Sequence, residues 1–491
     1  MKKIIITTVV AALLISALPG CKKLLEVKPE SSITEEIYFK SEGDFEPNVT
    51  GIYTYMRELV NNDLYGEQRS EELVNGPNAR LSSAVWGQLL SPTNGALAYN
   101  GWYTAIGHCN LLLEKIKGFE FATNPDTKKR IVAETHALRA WFYFHLTRII
   151  GKTPLMLEAV TNENVPLLPR ATEAEVMTQI QADLDAALQQ LESMSNFSKT
   201  TFPSTKYRFS YAAIQALKAD TKLWSAKVLG GGTADLNAAI AALTEVEASG
   251  VALNTDFKSV VGLRAAANPE IILSAFFLRD EGVGNYSIQT IAISSHITSV
   301  LNKDSIPSAV SPSYAQGGYL MSPESKALFN PGDKRIPFTF VTERLASGTG
   351  TRTWIVKYPG TKYADDRFPD NDIIIYRLAD IYLMKAEAYA ALDNATLAIE
   401  NLNKVRNRAS TGDYSGATDK ASVEREILNE RGRELFFENK RWYDLVRFHK
   451  GGTIDVYNYV PNLIGKTTPL FWPLNTTVLA NNSLLVQTQG Y

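Results

Sequence analysis

The sequence predicts a mostly α protein: a tetratricopeptide-like helical-repeat scaffold of about four helix pairs, with long loops and minor β hairpins laid over it. Three observations predict it. Residues 376–392 carry Leu378, Ile381, Tyr382 and Tyr389 at helical spacing, so these groups share one flank. Asp393 and Asn394 break the pattern with two turn formers, after which Ala395, Ala398, Ile399, Leu402 and Val405 mark the inner side of a second helix. Many contact positions in both helices are alanine, which lets two axes approach closely, and an Ala-rich pair of about thirty residues is the unit of tetratricopeptide arrays.

The rest of the chain fits that frame in order. Residues 41–60 read as a helix with Phe45, Val49, Ile52, Tyr53 and Met56 on one side. Residues 61–99 are loop-like, dense in Asn, Ser, Gly and Pro, yet hold Arg69, Arg80, Trp86 and Tyr99. Helix resumes over 100–115. Residues 128–150 are apolar nearly all round, with Trp141, Phe142, Tyr143 and Phe144 in succession, which predicts a helix buried on several sides. Thr172 with Glu175 three positions on forms a capping box for a helix to about residue 191. Residues 210–229 and 234–248 make another hairpin around the glycines at 230–232. Residues 251–375 break the helical periodicity: 271–277 is a short β-like run, and loops carrying Tyr286, Tyr314, Tyr319 and Trp354 follow. A long irregular insertion either has a job or is disordered, and its aromatic content argues against disorder. A third terminal helix is expected over 423–438, continuing to 447. Glu430, Glu434 and Glu438 lie four apart on it and repel one another, so Arg406, Arg408, Arg431, Arg433 and Arg441 are expected to neutralise them.

Composition excludes several function classes. The 491 residues carry a formal net charge of −2, which leaves no basic excess for nucleic acid. The two cysteines, Cys21 and Cys109, stand in unrelated contexts and offer no disulfide framework. The five histidines show no metal-site spacing, no Gly-rich phosphate loop or Gly-x-Ser-x-Gly elbow occurs, and no cofactor is expected. His136 and His145 read as core residues; His108 beside Cys109 does not read as a nucleophile–base pair, because helical neighbours point different ways.

The N-terminus, Met1-Lys-Lys followed by an apolar run of about fifteen residues, is too short to span a bilayer comfortably and fits a signal peptide. It ends in Leu18-Pro-Gly-Cys21, which resembles a bacterial lipobox with Cys21 as the acylated residue; two or more acyl chains make such anchoring stable. Residues 22–29 read as a tether that packs through Leu24, Leu25 and Val27.

Arg377-x-Ala-Asp-x-x-x-Met-x-Ala-Glu-Ala388, Leu402-Asn-x-Val-Arg-x-Arg-Ala409 and Glu430-Arg-x-x-Glu434 with Glu438-x-x-Arg-Trp-x-Asp-Leu-x-Arg447 resemble the SusD/RagB family of Bacteroidetes outer-membrane lipoproteins. Glu134, Arg139, Tyr143, Phe144, Arg148, Gly151 and Pro154-Leu155 fit the same pattern. The resemblance implies a signal peptide over 1–20 and a single SusD-like domain over 21–491. Its helical scaffold would span about 41–250 and 376–450, with a ligand-facing insertion at about 251–375. It implies a non-catalytic lipoprotein on the outer face of the outer membrane, capturing oligosaccharide for a TonB-dependent SusC-like transporter.

Sugars present flat C–H faces that stack on Trp and Tyr, while Arg and Asn bond their hydroxyls, so loop aromatics are the natural glycan surface. Trp86, Tyr99, Tyr286, Tyr314, Tyr319 and Trp354 form that pool, with Asn78 and Arg80 near Trp86 as polar partners. Peptide is the alternative cargo, and an unliganded structural scaffold is a further reading. A surface glycoside hydrolase using two of the three glutamates is a third, since a carboxylate pair about 5–10 Å apart suits a glycosidic bond. The arginines nearby favour a compensated structural network over that chemistry, which needs an apolar neighbourhood.

Overall fold

The structure, a computed structural model, describes residues 39–160, 165–201, 206–282 and 284–491. The expected signal peptide, the lipidation site Cys21 and the tether at 22–29 lie outside the described residues. The chain divides into two compact units, Met1–Phe45 and Glu46–Tyr491. In the first, the Asp44 carboxylate accepts from the backbone N–H groups of Lys40 and Ser41 at 2.9 and 2.7 Å.

The long helices, from the boundary residue onward, are α1 (Phe45–Val60), α2 (Asn100–Lys117), α3 (Pro125–Ile150), α4 (Glu173–Glu192), α5 (Tyr211–Val228), α6 (Gly232–Glu247), α7 (Leu378–Ala391), α8 (Ala395–Arg408), α9 (Lys420–Glu434) and α10 (Arg441–Lys450). Successive helices pair, α3 with α4, α5 with α6 and α7 with α8, and the pairs stack through α4 on α5 and α6 on α7. α2 packs on α3 and touches α1 where Tyr55 stacks on His108 at 5.2 Å. This is the helical-repeat scaffold the alanine-rich hairpin predicts: Ala379, Ala386, Ala388, Ala390 and Ala398 are all buried between α7 and its neighbours. The caps follow the local chemistry. Thr172 accepts from the Glu175 N–H while Glu175 reaches back to the Thr172 N–H at 2.8 Å, and Asn394 Oδ1 accepts from Leu397 N at 3.1 Å. Among the described residues no helix is long and apolar enough to cross a membrane.

Polar groups lock the stack. Arg139 of α3 grips Asp183 of α4 through two hydrogen bonds of 2.9 and 2.6 Å, with His136 on the same carboxylate at 2.7 Å. Cys109 is buried and its thiol pushed up by burial, and His108 turns toward Tyr55, so the pair does no nucleophilic chemistry.

Between α6 and α7 the chain is irregular with small two-stranded sheets, one of them completed by a strand from the loop between α1 and α2. Labelling the longer strands in chain order, these are β1 (Leu73–Asn75), β2 (Ile271–Ala275), β3 (Tyr319–Met321), β4 (Phe340–Leu345), β5 (Gly348–Ile355) and β6 (Ile373–Arg377). β1 pairs with β3, β2 with β6 and β4 with β5, all antiparallel, with Asn75 opposite Tyr319 and Leu73 opposite Met321. Of the apolar run at 271–277, residues Ile271–Ala275 become a wholly buried strand, and Phe276 and Phe277 lie beyond its end.

One expectation fails. The terminal helix does not continue through 438 into 447; it stops at Glu434, and residues 435–440 form a turn in which Phe437 and Asn439 adopt positive φ of 60° and 58°. A helix end exposes carbonyls that need donors. Here Arg377 Nη2 donates to Glu434 O at 2.7 Å, and Lys357 Nζ donates to Glu434 O and Phe436 O at 3.1 and 2.7 Å. Cations from distant chain segments thus make the break stable.

Candidate functional site

The expected ligand residues do not form one surface. Asn78 and Arg80 stand where three chain segments cross on glycine. Gly76 N donates to Gly318 O at 2.7 Å, Asn78 N to Gly317 O at 3.3 Å, Gly317 N to Ile291 O at 2.8 Å and Gly318 N to Gln289 O at 2.7 Å. The approach requires glycine: a Cβ on Gly76 would lie 2.2 Å from Gly317 O, and Gly317 itself sits at φ +57°. This crossing fixes the β1–β3 ladder beneath a cradle formed by residues 76–80, 289–296 and 314–318. Arg80 lies over Gly318, its side chain is exposed, and its guanidinium has no hydrogen-bond or ion-pair partner among the described residues. Asn78 Nδ2 donates to Gln316 Oε1 at 3.4 Å. Gln289 Oε1 and His296 Nδ1 lie under the two glycines, buried and without partners among the described residues. Tyr314, half-buried, packs edge-on against Phe368 at 5.2 Å, and half-buried Trp86 hangs its indole N–H on Leu73 O of β1 at 2.9 Å.

Three aromatic expectations are corrected by burial, because a ring without an exposed face offers no surface to a sugar. Trp354 is 0% exposed and packs with Ile297, Val300, Ile306 and Leu320, its indole N–H pointing to Glu343 at 3.4 Å. Tyr286 is 4% exposed, donates to Phe437 O at 3.0 Å and meets the Phe437 ring edge-on at 5.0 Å, so it props the turn after α9. Tyr319 is 3% exposed; its hydroxyl accepts from Gln68 Nε2 at 2.7 Å and donates to the Asp63 carboxyl. Tyr99 stands elsewhere, at the start of α2, half-buried and edge-on to Tyr103 at 4.7 Å. Gln289, His296 and Gln316 had no sequence signal as site residues beyond the neighbouring Gly317-Gly318 pair.

The three glutamates are buried and compensated. Glu430 accepts from Arg335 at 2.6 Å and from Arg433 at 2.6 Å; Glu434 accepts from Arg335 at 2.9 Å, from Arg377 at 2.5 Å and from Arg408; Glu438 accepts from Lys357 at 2.5 Å and Arg377 at 2.8 Å. Burial alone would raise these carboxyls, but the cations outweigh it and hold all three low, Glu434 well below the usual range through Arg408, Arg377 and Arg335. A general acid needs the opposite shift and an open approach for substrate, so this group is structural. Three of the five expected cations, Arg406, Arg408 and Arg433, serve it, whereas Arg431 pairs with Asp380 and Asp444 and Arg441 with Glu71. Arg335, Arg377 and Lys357 take their places. Among the described residues no cluster of His, Cys, Asp and Glu is arranged to hold a metal ion.

Comparison with known proteins bears on the same regions. Residues 338–491 match the model of the SusD family, and residues 23–219 match the model described as starch-binding, associating with outer membrane. SusD-like protein P38 of Formosa agariphila is 27% identical, with 100% of each chain covered. Starch-binding protein SusD of Bacteroides thetaiotaomicron is 31% identical over 138 residues, which is 25% of this chain and 22% of that protein. Among solved structures, B. fragilis NanU superposes with a TM-score of 0.79 at 27% identity, covering 95% of this chain and 100% of that one.

Proposed function

Since the chain belongs to the SusD/RagB family of Bacteroidetes, we propose that it is a surface-exposed, glycan-binding lipoprotein of the outer membrane. It captures oligosaccharides and delivers them, without catalysis, to a SusC-like TonB-dependent transporter. On this reading residues 1–20 are a signal peptide, acylated Cys21 is the anchor, and residues 21–491 face the exterior as one domain. The matched family description of starch binding at the outer membrane supports the coarse role.

The observation that carries the ligand part is the cradle: an exposed, uncommitted Arg80 beside Asn78 and Gln316, fixed on crossed glycine backbone, with Trp86 and Tyr314 as flanking rings. The crossed backbone fixes where Asn78 and Arg80 stand, and an exposed guanidinium without a partner offers several donors to a hydroxyl-rich ligand at the cost of ordering its side chain. The compensated glutamates support the absence of hydrolysis, since none of them is poised to give up a proton to a leaving group.

The test uses the full soluble body in affinity gels containing single polysaccharides, alongside titration with peptides. The expected result is retarded mobility in at least one glycan gel, no released product, and loss of about tenfold in affinity for Arg80→Ala with unchanged thermal stability. Binding of peptide with no glycan retained would transfer the reading to peptide uptake, and product release abolished by Glu434→Gln would overturn it. Recovery of no β-barrel partner from solubilised membranes would remove the delivery role.

A further inference from the structure

We propose that the pocket beside Tyr99 is a second carbohydrate site, specific for neutral sugar, separate from the Arg80 cradle; it rests on the reading of the chain as a glycan receptor. The pocket has a volume of about 520 Å³, within the usual range for small-ligand sites, and shares no lining residue with the cradle. Its frame is rigid. Leu97 N donates to Pro473 O at 3.0 Å and Asn475 N to Leu97 O at 3.1 Å, which joins the start of α2 to the C-terminal helix α11 (Thr476–Asn481). Tyr103 Oη donates to Pro154 O at 2.6 Å, and Asn482 Nδ2 to Leu168 O at 2.9 Å, closing the other sides.

Its chemistry points to one ligand class. The lining includes the Tyr99–Tyr103 edge-to-face pair with Met156, Leu167 and Val478, an apolar surface in which a tyrosine ring face suits the C–H face of a pyranose. On the rim the exposed side chains of Asn100, Asn481 and Thr477 have no hydrogen-bond partner among the described residues. Asn475 and Asn482, by contrast, already accept from the backbone N–H groups of Thr477 and Leu484 at 2.8 and 3.0 Å. No described lining residue carries a charge, and the nearby Arg170 guanidinium is engaged by Ile150 O, Lys152 O and Val486 O. Arg170 keeps its charge, but its donors are turned onto backbone carbonyls and Thr488, so an anionic sugar would find no free cationic donor here, and a purely aliphatic ligand would leave the free amides without a ligand partner. Neutral hydroxyls satisfy both. Two sites on one body would bind a long glycan with avidity, so the pocket matters more for polymer than for short fragments.

The test compares the parent protein with Tyr99→Ala, with the double variant Asn100→Ala/Asn481→Ala, and with Arg80→Ala, in affinity gels of starch, laminarin, xylan and mannan and of the acidic polymers alginate and polygalacturonate. Both Asn positions are exposed, so the double variant keeps the fold if Tyr99→Ala does not. The expected result is about a tenfold loss of polymer affinity for Tyr99→Ala, a several-fold loss for the double variant, and a smaller loss on short fragments of the same polymer. Crystals soaked with the bound fragment should show sugar on Tyr99. Polymer binding that is unchanged in both pocket variants yet lost in Arg80→Ala overturns the second site and leaves the receptor reading intact. Retention only of acidic polysaccharides overturns the neutral specificity, and retention of no glycan by the parent overturns both.

Discussion

Two groups of buried carboxylates meet the same turn, residues 435–440, and titrate in opposite directions. On one side Glu430, Glu434 and Glu438 are held low by Arg335, Arg377, Arg408, Arg433 and Lys357. On the other, burial raises Asp63 to about 6 and pushes Glu72 and Glu67 upward, the last also through repulsion by Glu72. This second group has mostly neutral donors: the Gln68 amide at 3.1 Å from Asp63, the Phe437 N–H at 3.3 Å from Glu72, and the Asn439 N–H on Glu67. Arg441, the guanidinium that acts on Glu72, is already hydrogen-bonded to Glu71 at 2.8 and 2.6 Å. Depth of burial is alike in the two groups, so the supply of cations decides whether a buried acid keeps or loses its proton. The difference has a location. The cation-rich group closes the end of α9, and the cation-poor one lies in the segment that leads into β1 and the Arg80 cradle.

The largest expected effect comes from stripping the cation-rich group of its central member. Arg377 donates to Glu270, Glu434 and Glu438 and to Glu434 O. Arg377→Met leaves buried carboxylates short of charge and the helix end short of a donor. Denaturant unfolding should show a loss of at least about 3–5 kcal/mol, or the variant should fail to accumulate as folded protein. A loss below about 1 kcal/mol would mean that cations are not what separates the two groups.

A pH series is the next sharpest test, and its sign differs on the two sides. Asp63, raised from its ordinary 3.8 to about 6, keeps its proton in the folded protein where the unfolded chain has lost it. Its contribution is fully present below about pH 4 and is lost as pH rises through 6, a change of roughly 3 kcal/mol, with Glu67 and Glu72 adding in the same direction. Glu430, Glu434 and Glu438 act oppositely: their stabilisation is present above the ordinary glutamate range and is lost as pH falls below it. Thermal unfolding from pH 4 to 8 should therefore peak on the acid side of neutrality. Asp63→Asn with Glu67→Gln and Glu72→Gln should flatten the alkaline limb and leave the acid limb in place; an alkaline limb that survives all three substitutions refutes the assignment.

The same contrast explains what could be read in the sequence. The α7–α8 hairpin and the Thr172 capping box were legible because their causes are local: alanines at helical spacing, Asp393-Asn394 between them, and Glu175 three residues after Thr172. The need to neutralise the glutamates was legible too, but not by whom, since Arg335 and Arg377 arrive from 57 to 99 residues away along the chain. For that reason the break after Glu434 was missed: helical spacing runs on through Glu438, and only donors from elsewhere stop it. Asn78 and Arg80 were singled out for their nearness to Trp86 in the sequence, and they stand as proposed ligand residues. Tyr286, Tyr319 and Trp354 were misplaced because an aromatic residue in aperiodic chain carries no mark of the side it faces.

The smallest effect expected is at Tyr319, where the cation-poor group touches the strand under the cradle. Its hydroxyl accepts from Gln68 and donates to Asp63, so Tyr319→Phe removes a donor that favours the ionised carboxyl. The cost should be about 1 kcal/mol, and it should be larger at pH 8 than at pH 5, because the lost bond matters most when Asp63 has given up its proton. Glycan affinity should not change, since the ring is 3% exposed and faces the interior. A variant as stable as the parent at both pH values but about tenfold weaker for glycan would return Tyr319 to the ligand surface and dissolve the link between the acid group and the strand.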